Sequence, residues 1–380
     1  REDLEELNAR ELTHYPVLLG GAALTRRYVE EDLRAIYHGS VYYCQDAFEG
    51  LATLDRVMPA LRAGEPMPLL TRGGRVVTSE ETGYDPVRAV TPTLERAAPP
   101  PGTRSNVPPA KEIPQPPFWG SRIVRGVPLR DIFPFINTTA LFRGQWQYQR
   151  GQRSEPEYAA FVENEVQPVF RRMQEMAIAR QLLVPQVVYG WFPARAEGED
   201  LLAWPGFEGG APTGDPVRFH FPRQATERHL CIADYFRDGA GGEYDVLGLA
   251  LVTMGPRATE FAQELFAANE YRDYLHFHGF AVESAEALAE MWHKRMREEL
   301  GIAGADGKTM KELFQQQYQG CRYAFGYPAC PDLEEQTGID TLLKPSRIGV
   351  ELSETFQWHP EQTTASLMVH HPDAAYFVVK

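Results

Sequence analysis

Cysteine is scarce in this sequence. Its 380 residues include four, Cys44, Cys231, Cys321 and Cys330. They form no Cys-x-x-Cys and no tight Cys/His cluster, which excludes a disulfide framework and a structural zinc site and suits a reducing cytoplasm. No apolar run approaches the ~18 residues that a membrane helix requires, so a spanning segment is not expected. The opening Arg1-Glu-Asp-Leu-Glu-Glu-Leu7 is acidic and amphipathic, unlike the basic end and apolar run of a secretory leader. Positive charge is also short: 38 basic residues against 52 acidic ones leave a formal net charge of −14. Such a field repels phosphate backbones unless a local basic patch overrides it. Few of the basic residues are lysine, asparagine is sparse, and 30 residues are proline. That composition suits a thermophile, although a GC-rich genome by itself favours arginine over lysine.

What is present divides the chain. Hydrophobic residues make up 43 % and charged residues 24 %, enough core for two or three domains. Residues 91–117 hold nine prolines, which suit neither a helix interior nor a central strand, so 88–117 reads as an extended linker. Before it, residues 1–87 alternate element types. A helical pattern over 2–12 is followed by the apolar run Tyr15–Gly21 ending in two glycines. A second helical pattern covers 24–37, a short strand 40–44, and a third helix 47–61. Helix, strand, helix, strand, helix is half of a doubly wound α/β unit. After the linker, residues 118–380 begin with a helix over 155–182. Strand runs follow at 186–192, 217–221, 229–236 and 246–254. Helices are expected over 259–300, 309–318 and 333–343, and strands again at 348–354, 366–371 and 376–379. Strands in one block and helices in another predict an α+β domain with an antiparallel sheet. The expected fold is therefore α/β plus α+β.

Several segments could carry chemistry. Gly20-Gly21 ends a strand before a helix, and Asp46-Ala47 follows the neighbouring strand. Their edge is either a tight turn or a crevice for a phosphate or nucleotide. Gln319–Asp332 packs glycines, prolines and aromatics around Arg322 with no regular period. It reads as a walled pocket in which the guanidinium fork faces a carboxylate, or as a packed loop whose Asp332 caps the next helix. Cys330 has no nearby histidine and reads as a small buried hydrophobe. Glu286, Glu290, His293 and Arg297 share one helix face and read as a solvated, salt-bridged row. A metal site of that form needs a second Glu-x-x-His, and the sequence has none. His370-His371 lies in a strand pattern, with its two rings on opposite faces. Arg143, Arg150 and Arg153 form the most basic short stretch, either an anionic partner's dock or a decorated surface loop.

Arg322-Tyr-Ala-Phe-Gly-Tyr-Pro-Ala-Cys-Pro331 resembles the Arg-x-x-x-Gly-Tyr-Pro-Ala-Cys-Pro signature of the activation domain of cobalamin-dependent methionine synthase. Asp131-Ile-Phe-Pro-Phe135 and His371-Pro-Asp-Ala-Ala-Tyr-Phe377 are similar to that domain's early and late motifs. Pro16–Ala22 and Val41–Ala47 resemble the last two strands of its cobalamin-binding domain. The resemblance implies that S-adenosylmethionine lies against Asp131, Glu286, Arg322, Tyr327, Ala329, Tyr376 and Phe377. It also implies that Gly20, Gly21 and Ala47 line the crevice for the nucleotide tail of cobalamin. The chain departs from the family at Gln316, where an acidic residue is usual, and it lacks the Asp-x-His-x-x-Gly motif whose histidine ligates cobalt. It has neither the zinc cysteines of the homocysteine module nor the folate barrel, and so reads as a fragment.

The implied activity is that of a methyltransferase in methionine biosynthesis. Cob(II)alamin is reduced by a flavodoxin-type partner and methylated by S-adenosylmethionine to give methylcobalamin. No catalytic acid, base or nucleophile and no protein-held metal is expected. The implied partners are the electron donor and the remaining modules for homocysteine, folate and the rest of the cobalamin domain. Two rival readings fit the same residues. One is a non-catalytic docking module for the electron donor, and the other is a free-standing methyltransferase acting on a small substrate.

Overall fold

A computed structural model describes residues 2–20, 24, 26, 28–44, 47–68, 70, 103–225, 228–239 and 241–379. The chain separates into two units, residues 1–95 and 96–380.

In the first unit, β1 (Val17–Gly20) and β2 (Val41–Cys44) pair in parallel, with Val17 opposite Val41 and Gly20 opposite Cys44. Side chains alternate across such a ribbon, and β2 serves two small cores. Val41 packs with Leu4, Val29, Leu33 and Tyr37, while Tyr42 packs with Val57 and Leu70. Helices at Glu2–Ala9 and Ala47–Ala63, with a wide turn at Tyr28–Leu33, accompany the pair. A Cβ on Gly20 would lie 2.1 Å from the Cys44 carbonyl oxygen, so strand packing alone already demands glycine there.

The second unit is built on a seven-stranded antiparallel sheet. Its members are β3 (Gly120–Arg125), β4 (Gln186–Glu197), β5 (Asp200–Ala203), β8 (Val217–His220), β9 (Asp245–Thr253), β10 (Cys321–Tyr323) and β13 (Thr363–Val369). They run in the order β10-β13-β9-β4-β5-β8. β4 is long enough to pair with β3 through residues 186–191 and with β5 through residues 194–197. Two small hairpins flank the sheet, β6 (Gly206–Glu208) with β7 (Ala211–Thr213) and β11 (Glu351–Leu352) with β12 (Trp358–His359).

Alternation again decides what each face buries. Val187, Tyr189, Trp191, Val246, Ala250, Val252 and Met368 face the helices, where they meet Phe277, Phe280, Ala281, Leu288 and Trp292 of the 29-residue helix Tyr271–Glu299. Val188, Phe192, Leu247, Leu249, Leu251, Leu367 and Val369 face the other way, onto Phe219, Phe221, Phe325 and the helix Gln336–Leu343. All nine residues of β9 are buried, as expected of a strand covered on both faces.

The sequence pattern misplaces some elements. Residues 229–236 are apolar but form a 3-10 turn at Ile232–Tyr235 rather than a strand. Cys231, Ile232, Ala233 and Tyr235 are buried there by tertiary packing, which a short apolar run cannot distinguish from strand burial. Residues 376–379 are coil, whereas β3 and the β5–β7 strands carry too little periodicity to be seen in advance.

Within the proline-rich segment, residues 88–102 lie outside the described residues. Residues 103–117 are extended but tied to the second unit. Ser105 N–H donates to Asp234 (3.1 Å), Arg237 donates to the Ala110 carbonyl (2.8 Å), and His371 Nε2 meets the Pro108 carbonyl (2.8 Å). Proline removes backbone donors but leaves carbonyls free to accept, and this strap uses them.

Candidate functional site

The edge strand β10 places Arg322. Cys321 and Tyr323 on either side of it are buried in the core against Gln336–Leu343, so Arg322 projects from the opposite face. It stands across from Met368 of β13 and faces the long helix. There Nη1 and Nη2 converge on one oxygen, Oε2 of Glu286, at 3.5 and 3.4 Å, and Nη2 lies 3.6 Å from Oε2 of Glu290. This is not the parallel fork-on-fork geometry of a filled guanidinium–carboxylate pair.

The chain enters β10 through Gly320, whose φ of +85° and close approach to the Val369 carbonyl exclude a side chain. The loop after β10 walls the site. Gly326 N–H donates to the Cys330 carbonyl and Cys330 N–H to the Tyr327 carbonyl, both at 2.9 Å. The tight loop buries Ala329 completely and leaves Tyr327 half exposed. The C-terminal segment is held against it. Val379 N–H donates to the Pro328 carbonyl (3.0 Å), Tyr323 Oη donates to the Ala375 carbonyl (2.7 Å), and Tyr376 stacks on Tyr323. Phe377 packs edge-on to the same ring and is buried. Glu286 and burial push the Tyr327 phenol above its usual range, which fits a ring that overhangs the carboxylates. Asp332 does not cap the following helix; it accepts from Glu334 N–H in the turn before it. Cys330 is buried and its thiol is pushed up to about 12, chiefly by that burial, which leaves it inert as a nucleophile.

Arg322, Glu286 and Tyr327 are thus brought together, with Tyr376 beside the Tyr327–Ala329 loop, while Phe377 packs on Tyr323 in the core on the other face of β10. Asp131 is placed elsewhere, in a cleft lined by Val124–Pro128, Phe135, Met291, Trp292, Lys294, Arg295 and Glu298. Gly20 and Ala47 end β2's neighbour and begin the following helix in the first unit, and Gly21 lies outside the described residues.

One expectation is corrected outright. The face Glu286, Glu290, His293, Arg297 is not a solvated row. Arg297 is fully buried, with Nε and Nη2 on the Asp306 carboxylate (2.8–3.2 Å), Nη1 on His293 Nδ1 (2.7 Å) and its guanidinium over the Tyr318 ring. The residues from 303 to 318 fold back over that face, and a helix-local reading of charge alternation cannot foresee a cover from outside the helix. Burial first, and then the positive charges of Arg297 and Arg322, hold His293 neutral, well below its ordinary range. Glu290, which the sequence reading set aside as surface charge, faces Arg322, and Glu283 is a buried carboxyl with no signal in the sequence. Glu283 is buried and its carboxyl is pushed up to about 7 by that burial, despite a hydrogen bond from Gln145. The basic stretch is also engaged: Arg143 lies over Tyr158, Arg153 over Phe161, and Arg150 pairs with Glu155. No group of histidine, cysteine and carboxylate suited to a metal occurs among the described residues.

Residues 128–380 match the family model described as the vitamin B12 dependent methionine synthase activation domain. The chain belongs to that family. Along its whole length it is 44 % identical, over 398 aligned residues, to a methionine synthase from Mycobacterium tuberculosis (strain ATCC 25618 / H37Rv). It is 43 % identical over 401 residues to the methionine synthase of Mycobacterium leprae (strain TN). It spans 33 % of each of these relatives. Among solved structures it resembles the MetH reactivation domain crystallised with AdoHcy, with a TM-score of 0.62 and 27 % identity. That match covers 70 % of this chain and 83 % of the other. As an activation domain, the second unit accordingly carries its antiparallel sheet and helices in the family's arrangement.

Proposed function

We propose that this chain is the reactivation portion of a cobalamin-dependent methionine synthase. Residues 118–380 bind S-adenosylmethionine and present its methyl group, residues 1–87 form the C-terminal part of a Rossmann-like cobalamin-binding unit, and 88–117 connect them. The observation that carries this reading is Arg322. Both nitrogens of its guanidinium fork meet one oxygen of Glu286 at 3.4–3.5 Å, with an oxygen of Glu290 at 3.6 Å from one of them, near the half-exposed ring of Tyr327 and within the segment that matches the family. A ligand carboxylate would take that fork bidentately. Glu286 then supplies negative charge for the ligand's cationic groups, while Ala329 belongs to the loop that walls the site. Asp131 and Phe377 enter the site on resemblance alone.

The sulfonium methyl of S-adenosylmethionine is already activated, so the protein needs neither acid nor base for its displacement. Holding the methyl in line is catalysis by orientation. Bound cobalamin would supply the cobalt centre that accepts it, giving methylcobalamin once a flavodoxin-type donor has provided one electron. Gly20, which ends β1, Ala47, which begins the helix after β2, and Gly21 are the proposed contacts to cobalamin. Gly20 fits this role in that its strand end carries no side chain, although the Cys44 carbonyl already requires that. The homocysteine and folate modules of the longer enzyme are the proposed covalent neighbours. The docking-module alternative loses its main support, because Arg143, Arg150 and Arg153 are committed to neighbouring rings and a carboxylate.

Calorimetric titration of S-adenosylmethionine into the chain and into Arg322→Ala tests the reading. Binding by the parent, weakened by about 2–5 kcal/mol in the variant, is the expected result. No heat from a folded parent would overturn it.

A further inference from the structure

The long helix presents more negative charge to Arg322 than one guanidinium balances. Glu286 and Glu290 both face it, at 3.4 and 3.6 Å. The second arginine nearby, Arg297, is committed to Asp306 and favours the Glu290 carboxylate less than Arg322 does. Glu290 is the more enclosed of the two carboxylates, and its Oε1 is buried without a hydrogen-bond partner. A ligand carboxylate entering the Arg322 fork competes for the guanidinium, and with Glu286 turned to the ligand's cationic groups Glu290 is the carboxylate that loses its partner.

We propose that Glu290 is a positioning residue of this site: it steadies the Arg322 fork in the free chain and takes up a proton on Oε1 when a ligand carboxylate occupies that fork. The proposal rests on the S-adenosyl reading given above. The step moves one proton from solvent to Glu290 and converts carboxylate to carboxylic acid, with no other bond changed.

The groups facing Glu290 favour this assignment. From β10 come Arg322 and the Cys321 thiol, from the preceding loop Tyr318, and from beyond the helix Asp306. Glu286, His293 and Arg297 lie on its own helix. Burial, Glu286 and Asp306 raise the Glu290 carboxyl, while Arg322 and Arg297 oppose them. Losing the grip of Arg322 to a ligand therefore removes the stronger of the two opposing influences. Cys321 and Tyr318 are held neutral by burial, and His293 is neutral too, so none of them supplies compensating charge. Glu283, two turns earlier, is governed by burial, Gln145 and Glu286 rather than by the arginine fork.

The test uses S-adenosylhomocysteine, whose carboxylate and ammonium do not titrate between about pH 5.5 and pH 7. Calorimetry is run over that window in buffers of different ionisation enthalpy. The parent is expected to take up close to one proton per ligand, with affinity falling by up to about tenfold per pH unit as pH rises. Glu290→Gln is expected to bind without proton uptake and with a flat pH profile, whereas Glu283→Gln keeps the parent's uptake. Binding by the parent without uptake overturns the proposal but leaves the S-adenosyl reading standing, and it decides the matter even if Glu290→Gln does not fold. Unchanged uptake in Glu290→Gln, or its loss in Glu283→Gln alone, also overturns it. No binding by the folded parent removes the functional reading and this proposal together.

Discussion

Glu283 sits one turn before Glu286 in the buried part of the long helix, with its carboxyl pushed up from an ordinary 4.5 to about 7. Its linkage to stability has a definite sign. The folded chain holds this proton where the unfolded chain has released it, so the contribution is complete below about pH 4.5 and is lost as pH rises through about 7. Glu283→Gln keeps an acceptor for Gln145 and removes the charge. It should therefore raise stability by up to about 3 kcal/mol at pH 8 and change it little near pH 4, as read from urea unfolding at the two pH values. Asp306 matters as a partner. Its carboxylate satisfies the fully buried Arg297 through three contacts of 2.8–3.2 Å. Asp306→Ala would strand that cation, with an expected loss of about 3–5 kcal/mol in the same assay. Equal stability to the parent would show that solvent reaches Arg297.

Among the elements, β4 has the most to reconcile, because it pairs with β9 along its length and with β3 and β5 in succession on its other edge. Gly190 marks the crowded point. A Cβ there would lie 2.2 Å from the Gly120 carbonyl oxygen and 2.8 Å from Ser121 Cα. Both are backbone atoms, which cannot swing aside as a flexible side chain can. Gly190→Ala should cost about 1–3 kcal/mol and loosen β3, seen as a lowered urea midpoint and faster amide exchange over 120–125. The long helix works differently. Its 29 residues extend roughly 43 Å, so one rigid element carries Glu283, Glu286 and Glu290 past Arg322 at successive turns. It goes on to bury Trp292, Met296 and Arg297 beneath other segments.

For the whole molecule, the telling segment is the strap at 103–117. Ser105, Pro108 and Ala110 hold Asp234, His371 and Arg237, so an activation domain cut at residue 118 loses partners for groups that stay buried. A fragment beginning at 118 should be less stable than one beginning at 103 by about 2 kcal/mol or more, measured by denaturant unfolding of the two. Equal stability would mean that the strap's contacts are replaced by water at no penalty. Limited proteolysis of the full chain should accordingly spare 104–111.

The sequence by itself determined the kinds of element and the identity of the key side chains. The helix–strand alternation from Glu2 to Ala63, the antiparallel character of the sheet that follows, the unusual loop 319–332 and its Arg322 are all local in origin, being set by side-chain periodicity, proline and glycine content and a contiguous motif. Only the tertiary structure decided what covers what. No local pattern distinguishes an exposed Glu-x-x-x-Glu-x-x-His-x-x-x-Arg face from one roofed by residues 303–318. None reveals that Ile232–Tyr235 is buried as a turn, that half of a proline-rich segment is strapped down, or that two glutamates share one arginine fork. Each of these depends on contacts between residues far apart in the chain, and burial by a distant segment changes the energetics of a charge without leaving any mark on its neighbours in sequence.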